Sequence, residues 1–388
     1  MRYFFECGNF VELSLVELSC VLESYDISKD SINRVGEGIL LVESNTVTEE
    51  VLDRIFQRLG GFIRYGQVID DIDSFLLPFL KKEKITFGIS ALGNTNVALK
   101  DIQRLANEIK RGFKSNGVSS RFILPKQSEL NAAQIFTNSV IENGFELCIF
   151  DTKAGRMYGS TLSIQDINAF IKRDLDRPSV DFDMGVLPQK LARMMCNFTG
   201  FKEGIIWDPF CGSGTILIEA ATLGFDILGS DIDLNAIENS EKNIQWLSEE
   251  GLISHTRVKI FPLDIHSVPK KTLKEIKRTG ISAIVCEPFM GPPQRKILGE
   301  GKADELLNKV RTLYESLFNI MNEISRPGFK VVLIIPSYRT KSGFKTISIS
   351  SFIGKKWDVL NKKYTKGDLK WERNNSIITR NIFILSKR

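Results

Sequence analysis

Three acidic residues close three apolar runs in the second half of the chain. Asp208 ends "IIWD", Asp231 ends "FDILGSD" and Asp264 ends "RVKIFPLD". The first is followed at once by "PFCGSGT", with a helix predicted to open at Thr215. Gly212 and Gly214 let the backbone approach a ligand with no Cβ in the way. Amides at a helix start then face whatever lies at the carboxyl edge of an open α/β sheet. A dinucleotide fingerprint needs a third glycine where Leu217 stands, and a carboxylate at 208 sits badly beside a pyrophosphate. Asp231 follows Asp208 by 23 residues, about where an acid meets ribose hydroxyls, and Asp264 is placed for an adenine amino group. Singly, each is an ordinary solvated acid at a strand end. Together they point to an adenosine ligand that carries positive charge, and the sulfonium and amino group of S-adenosylmethionine are the match. The expected cofactor contacts are Asp208, the turn Phe210, Cys211, Gly212, Ser213, Gly214 and Thr215, then Asp231 with Ile232 and Asp264 with Ile265.

The elements that must carry these residues alternate. From about residue 187, short β-branched runs ("GIIWD", "FDILGSD", "RVKIFPLD", "ISAIVCE", "KVVLIIPS") are separated by helical stretches, the pattern of a parallel, doubly wound sheet. Two further strands are expected in the tail, "KWDVLNKKYT" and "NIFILSK". The first block, 1–78, reads as a ferredoxin-like β-α-β-β-α-β unit from "RYFFECG", "ELSLVELSCVLESY", "GILLVES", "TEEVLDRIFQRLG" and "FIRYGQVI". A second α+β block, 79–163, follows, with helices over "VALKDIQRLANEIKRGFKSNG" and "SELNAAQIFTNSVIENG". A charged, proline-bearing linker over 164–186 then leads to 187–388. The expected fold class is α/β, a Rossmann-like doubly wound domain preceded by two α+β domains.

"DPFCGSGT" resembles the motif of class I S-adenosylmethionine methyltransferases that modify exocyclic amino groups of nucleic-acid bases. "ELSLVEL", "LGGFIRYGQVI", "LNAAQIF", "STLSIQDINAFIKRDLDRP" and "GVLPQKLARMMCNFTG" are similar, in the same order, to segments of THUMP-domain tRNA guanine-N2 methyltransferases. That resemblance spans almost the whole chain. It implies a ferredoxin-like domain, a THUMP domain gripping the acceptor end of tRNA, a linker and a catalytic domain. Its implied reaction is N2-methylation of a guanine in the tRNA core or acceptor stem.

The family carries a D/N-P-P-aromatic motif where this chain reads "CEPFMGPP". The motif's task is to accept the N–H bonds of a base amino group whose lone pair is delocalised into the ring, and to stack on the flipped-out base. Positioning supplies much of the rate. Here Glu287 takes the acid position, one methylene longer, and Pro288 matches the first proline. Phe289 replaces the second proline, offering a stacking face one position early, and Met290 stands at the aromatic position. Pro292 and Pro293 offer to restore rigidity. A catalytic loop of altered geometry and a loop that binds without transfer both remain open, and a DNA amino-methyltransferase is the rival within the enzyme class.

The charge distribution fits a polyanion. Residues 1–75 hold 6 basic and 14 acidic side chains, 76–175 hold 14 and 9, and the whole chain is +5. Lys110, Arg111, Lys114, Arg121 and Lys126, near one helix end and the next strand, are the candidate phosphate contacts; a merely solubilising role is the alternative. Lys362, Lys363, Lys366, Lys370 and Arg373, with Tyr364 and Trp371 interleaved, form a second basic stretch. The six cysteines are scattered with no C-x-x-C pair, so neither a metal nor a disulfide framework is expected, and a reducing cytoplasm fits. Cys211 and Cys286 are given packing roles. No run suggests a membrane span or a signal peptide. tRNA is the expected partner, and the need for a small partner subunit stays open.

Overall fold

The computed structural model describes residues 1–45, 47–179, 187–292, 294, 296–373 and 376–388. Two compact units emerge: residues 1–14 with 26–167, and residues 15–25 with 168–388.

The first unit is built on one eight-stranded sheet. Its strands are β1 (Arg2–Cys7), β2 (Ile32–Gly36), β3 (Ile39–Glu43), β4 (Phe62–Ile69), β5 (Lys84–Ala91), β6 (Ser119–Ile123), β7 (Gly144–Thr152) and β8 (Gly155–Ile164), in spatial order β2-β3-β1-β4-β8-β7-β5-β6. The two predicted α+β blocks thus share a sheet, joined where β4 runs antiparallel to β8. Close approach at this seam requires glycine. A Cβ on Gly66 would lie 2.1 Å from the Ser160 carbonyl oxygen, and one on Gly159 would lie 2.5 Å from the Phe4 ring.

Beside the seam lies a buried ionic network. Arg64 on β4 donates to Glu6 on β1 (2.6 Å), to Glu146 on β7 (2.5 Å) and to the Leu130 carbonyl (3.0 Å). Ser90 and Thr161 also donate to Glu146, each at 2.5 Å, so four strands besides β4 are tied to one guanidinium. The helix Leu99–Ser115 buries Ile102, Ala106, Ile109 and Phe113 against this sheet, which leaves Lys110, Arg111 and Lys114 exposed.

Strand β2 fills the place in the expected β-α-β-β-α-β order to which the sequence pattern assigns no segment; it is an edge strand, with Asn33 and Arg34 exposed. One element here differs from expectation. The helix predicted over "SELNAAQIFTNSVIENG" is only Ala132–Thr137. It starts at an Asn131–Gln134 capping box, and its continuation is cut where Ser139 takes a φ of 46°.

The second unit holds a nine-stranded sheet. Five parallel strands, β9 (Ile205–Asp208), β10 (Asp226–Asp231), β11 (Val258–Pro262), β12 (Ala283–Cys286) and β13 (Lys330–Thr340), lie in the order β11-β10-β9-β12-β13. A short β14 (Gly343–Thr346) pairs with β13, and the tail adds β15 (Trp357–Val359), β16 (Lys370–Trp371) and an antiparallel β17 (Ile378–Lys387) beside β13. The strand expected over "KWDVLNKKYT" is therefore only Trp357–Val359, with the helix Asn361–Tyr364 following.

The strand order reverses between β9 and β12, because the chain first steps outward to β11 and then returns to the other side of β9. Such a reversal opens a crevice at the carboxyl ends of the strands, where open α/β sheets bind ligands. The long helix Glu300–Ile324 seals one face with Leu306, Leu317, Phe318 and Met321, and Tyr314 donates from it to the Ile334 carbonyl at 2.5 Å. All six cysteines are buried. No helix among the described residues is long and apolar enough to cross a membrane.

Replacing Arg64 with Met should leave Glu6 and Glu146 buried without their cation and destabilise the chain by about 3–5 kcal/mol, read from urea denaturation. Unchanged stability would show that the network contributes nothing to the seam.

Candidate active site

The crevice is built on backbone first. Strand β9 ends at Asp208, which is 1% exposed, and its Oδ1 accepts the Phe210 N–H at 3.0 Å. The chain then turns over the sheet edge, with the Cys211 N–H on the Ser230 carbonyl of β10 (3.0 Å) and the Gly214 N–H on the Cys211 carbonyl (2.8 Å). Gly212 and Gly214 take φ values of 53° and 85°, a region only glycine enters at no cost. At Gly214 an added Cβ would also strike Ser240, whereas at Gly212 it would meet nothing within 4 Å. The turn therefore presents open space at Gly212. Asn243 fastens it from outside by donating to the Ser213 carbonyl at 2.8 Å, and Ser240 donates to the Gly212 carbonyl at 2.7 Å. The eight-residue helix Thr215–Thr222 begins there.

Asp231 ends β10 and accepts the Gly212 N–H (2.9 Å) and the Asp233 N–H (3.0 Å) on its two oxygens. Each carboxylate oxygen has a second lone pair, so this anchoring leaves room for hydroxyl donors. Ile232 follows at 69% exposure, an apolar face in solvent at a strand end. Asp264 lies after β11, where Oδ1 accepts the His266 N–H (2.8 Å) and Oδ2 the Ser267 hydroxyl (2.9 Å). Those bonds lower its pKa, the backbone N–H most of all. Ile265 is 5% exposed and packs in the core with Trp207 and Leu263, so its side chain faces away from solvent. The Cys211 thiol is likewise buried, and burial pushes its pKa up. Any ligand meets residue 211 through its backbone.

At the end of β12, Glu287 is not free. Arg380 on β17 donates through Nε to Oε1 at 2.6 Å and through Nη2 to Oε2 at 3.4 Å, and its guanidinium lies 4.9 Å from the centre of the Trp371 ring. Burial raises the Glu287 pKa, opposed by the charge and hydrogen bond of Arg380. Pro288 is buried, Phe289 is 49% exposed and the Met290 carbonyl accepts the Tyr338 hydroxyl. Pro293 lies outside the described residues, so its expected stiffening role finds no account here. Sequence reasoning missed Arg380, which stands 93 residues from its partner and has no local motif.

Asp208 is held well above the usual carboxylate range, by desolvation first and then by the charges of Asp231 and Glu287, against the one lowering bond from Phe210. A buried carboxylate beside two others, with arginine serving only Glu287 by direct contact, is a site that lacks positive charge. The open space over Gly212 and the exposed Ile232 supply a cradle and an apolar face beside it. These features fit S-adenosylmethionine: Asp208 would face its cationic groups, Asp231 its ribose hydroxyls, and Ile232 its adenine ring. No group of three or more His, Cys, Asp or Glu side chains suited to a metal occurs among the described residues.

The candidate phosphate-binding side chains lie in the first unit. Lys110, Arg111 and Lys114 line one groove of about 510 Å³, with Asn107 and Ser119. Arg121 is exposed and donates to Asn138 at 3.1 Å, and Lys126 is exposed; neither is among the groove's lining residues.

Residues 179–288 match a family model described as UPF0020, RMKL-like, methyltransferase domain. A probable tRNA (guanine(10)-N2)-dimethyltransferase of Methanothermococcus thermolithotrophicus is 30% identical over 122 residues, 31% of this chain and 70% of that protein. The chain belongs to the tRNA guanine-N2 methyltransferase family. The tRNA (guanine(10)-N2)-dimethyltransferase of Methanocaldococcus jannaschii is 35% identical over 127 residues, 32% of this chain and 34% of the relative. That of Pyrococcus abyssi is 38% identical over 159 residues, 38% and 44%. The chain thus spans about a third of the M. jannaschii relative and less than half of the P. abyssi one.

A cation beside Asp208 would pull its raised pKa back down, so cofactor binding should release protons. Affinity for S-adenosylmethionine should rise as pH climbs through the ligand-free pKa of Asp208 and level off above it. Calorimetry in buffers of different ionisation enthalpy reads the released proton directly, and Asp208→Asn should abolish it. Proton-neutral binding by the unaltered protein would remove Asp208 from the cofactor site.

Proposed function

We propose that this chain is an S-adenosylmethionine-dependent tRNA methyltransferase that transfers a methyl group to the N2 amino group of a guanine. The observation that carries the reading is the placement of Asp208 and Glu287 at the carboxyl ends of the paired parallel strands β9 and β12, at the switch crevice. One carboxylate is suited to a cationic donor and the other to an amino acceptor. The relatives' names support the substrate: the matched proteins of M. jannaschii and P. abyssi are tRNA (guanine(10)-N2)-dimethyltransferases.

When bound, the cofactor supplies a methyl group made electrophilic by positive sulfur. The chain's own part is to present the nucleophile. Glu287, paired with Arg380, would accept an N–H of the base amino group, favouring a localised lone pair on nitrogen. Its longer arm is restrained by the arginine, and Arg380 is in turn held against Trp371. Phe289, half exposed beside Glu287, would stack on the flipped base, with Pro288 and Met290 fixing the loop under it. The methyl replaces one amino hydrogen, and that proton leaves to solvent. In the first unit Lys110, Arg111, Lys114, Arg121 and Lys126 would take tRNA phosphates, as a THUMP-type module would require.

A second reading, tRNA binding without transfer, draws on the same Glu287–Arg380 pair, because an acid engaged by arginine has fewer lone pairs to offer. Nucleoside mass spectrometry on unmodified tRNA incubated with the chain and S-adenosylmethionine decides between them. A new N2-methylguanosine peak, reduced at least about 100-fold in Glu287→Ala, supports transfer. Binding with no methylated nucleoside supports the second reading.

Arg380→Gln should move the acidic limb of the pH–rate profile to higher pH. The cation that opposes burial is lost, and burial then acts on the acid unopposed. An unmoved limb would mean that Glu287 titrates without help from Arg380. Separately, replacing Lys110, Arg111 and Lys114 with Ala should weaken tRNA binding and lower its logarithmic salt slope by about 1 for each phosphate no longer neutralised. An unchanged slope would place the phosphates elsewhere.

A further inference from the structure

The linker and the helix after it deliver three arginines to the helix that opens at the glycine turn, and among the described residues two of them pair with an anion. Glu219, fully buried on that helix, takes Arg173 through Nε (2.7 Å) and Nη2 (3.2 Å) and Arg193 through Nη1 (3.0 Å). Both of its oxygens are thereby engaged. Arg177 is the third. It is 3% exposed, and its Nη1 donates to the Thr215 hydroxyl at 2.9 Å, on the first residue of the helix. Its Nε and Nη2 are buried and make no hydrogen bond among the described residues.

Burying two guanidinium N–H groups unsatisfied costs about 1–3 kcal/mol or more. A cation at a helix N-terminus is also on the wrong side of the helix dipole. Burial accordingly lowers the Arg177 pKa, and the charges of Asp174 and Glu219 only partly offset it. The position is nevertheless fixed. Two residues on, the Ser179 N–H donates to Asn243 Oδ1 (2.9 Å), and Asn243 Nδ2 donates back to the Ser179 carbonyl and to the Ser213 carbonyl, both at 2.8 Å. One asparagine thus binds the linker to the glycine turn, and Arg177 is held over the helix start.

We infer that Arg177 is a cofactor-binding residue, whose free Nε and Nη2 take the carboxylate of the methionine moiety of S-adenosylmethionine at the start of the helix Thr215–Thr222. The inference rests on the cofactor reading given above. Bidentate capture of a carboxylate is what a planar guanidinium with two adjacent free donors does best. An incoming carboxylate satisfies both orphan donors, and the helix N-terminus attracts it in place of repelling a lone cation.

The test compares two ligands that differ in this one group, S-adenosylmethionine and its decarboxylated form, by calorimetry on the full chain. The unaltered protein should bind the decarboxylated ligand more weakly by about 10- to 100-fold, the range of a charge-assisted hydrogen-bonded pair. Arg177→Met should lose a similar factor toward S-adenosylmethionine and nothing further toward the decarboxylated form. Arg177→Lys, which keeps the charge and the packing of the stem, should recover part of the loss. Equal losses toward both ligands, or no loss toward either, would overturn the assignment. So would a variant that loses tRNA affinity while binding the cofactor normally, which would give the arginine to an RNA phosphate. If the unaltered chain binds neither ligand, the cofactor reading itself falls and this inference with it.

Discussion

A carboxylate buried at the end of the central strand is the constraint on which the crevice depends. Asp208 has one backbone N–H and, among the described residues, no cation in contact, and its neighbours Asp231 and Glu287 are acids. Folding alone gains nothing from that arrangement, because desolvated like charges within reach of one another oppose it. The backbone around it is nonetheless heavily committed. The Cys211 and Gly212 amides reach β10, the Gly212 and Ser213 carbonyls are held by Ser240 and Asn243 of the helix Leu234–Glu249, and two left-handed glycines make the turn possible. Rigid backbone around an uncompensated charge is the form of a site built for a charged ligand rather than for stability.

Glu287 illustrates how a departure from a motif is compensated away from the motif. A longer acid brings extra rotamers, and tandem prolines would have limited where the loop could place it. In this chain the second proline is Phe289, and restraint comes from elsewhere. Arg380 grips both carboxylate oxygens, Trp371 backs the guanidinium, and Tyr338 holds the Met290 carbonyl. Paired with arginine, the glutamate becomes an acceptor without net charge, closer to the amide form of the motif than a lone carboxylate is. An exposed Phe289 beside it is the feature that core packing leaves unexplained, since burial would have been its lower-energy position.

What was legible in the sequence was local. Strand ends, glycine spacing and the helix start at Thr215 are written in consecutive residues, and the parallel sheet follows from β-branched runs between helices. The partners that set the chemistry were not legible, because they come from elsewhere in the chain: Arg380 meets Glu287 only once β17 has paired with β13. The buried network of Arg64 is of the same kind, since Glu6 and Glu146 lie on either side of it in sequence. Edge strand β2 matched no segment because two of its five residues are exposed and the rest only partly covered, so no buried face shows in its sequence. Ile265, a strand-end neighbour of Asp264, reads as a ligand contact in sequence and proves to be core, a matter of which way one side chain points.

The charges around the glycine turn are unbalanced in two senses at once. At the strand end stand Asp208 and Asp231 with no cation in contact among the described residues, while at the helix start stands Arg177 with two buried donors unused. Neither imbalance is relieved by the other. Among the described residues Arg177 donates to the Thr215 hydroxyl and Asp208 accepts the Phe210 N–H, with no hydrogen bond between the two. A simple anion would satisfy the arginine and worsen the acids, and a simple cation would do the reverse. A ligand that brings both signs on one short chain relieves both together. The amino-acid end of S-adenosylmethionine, with its ammonium, sulfonium and carboxylate, is such a ligand. On this argument the glycine turn does more than admit a nucleoside, because it separates an acidic from a basic subsite across a single bend of the backbone.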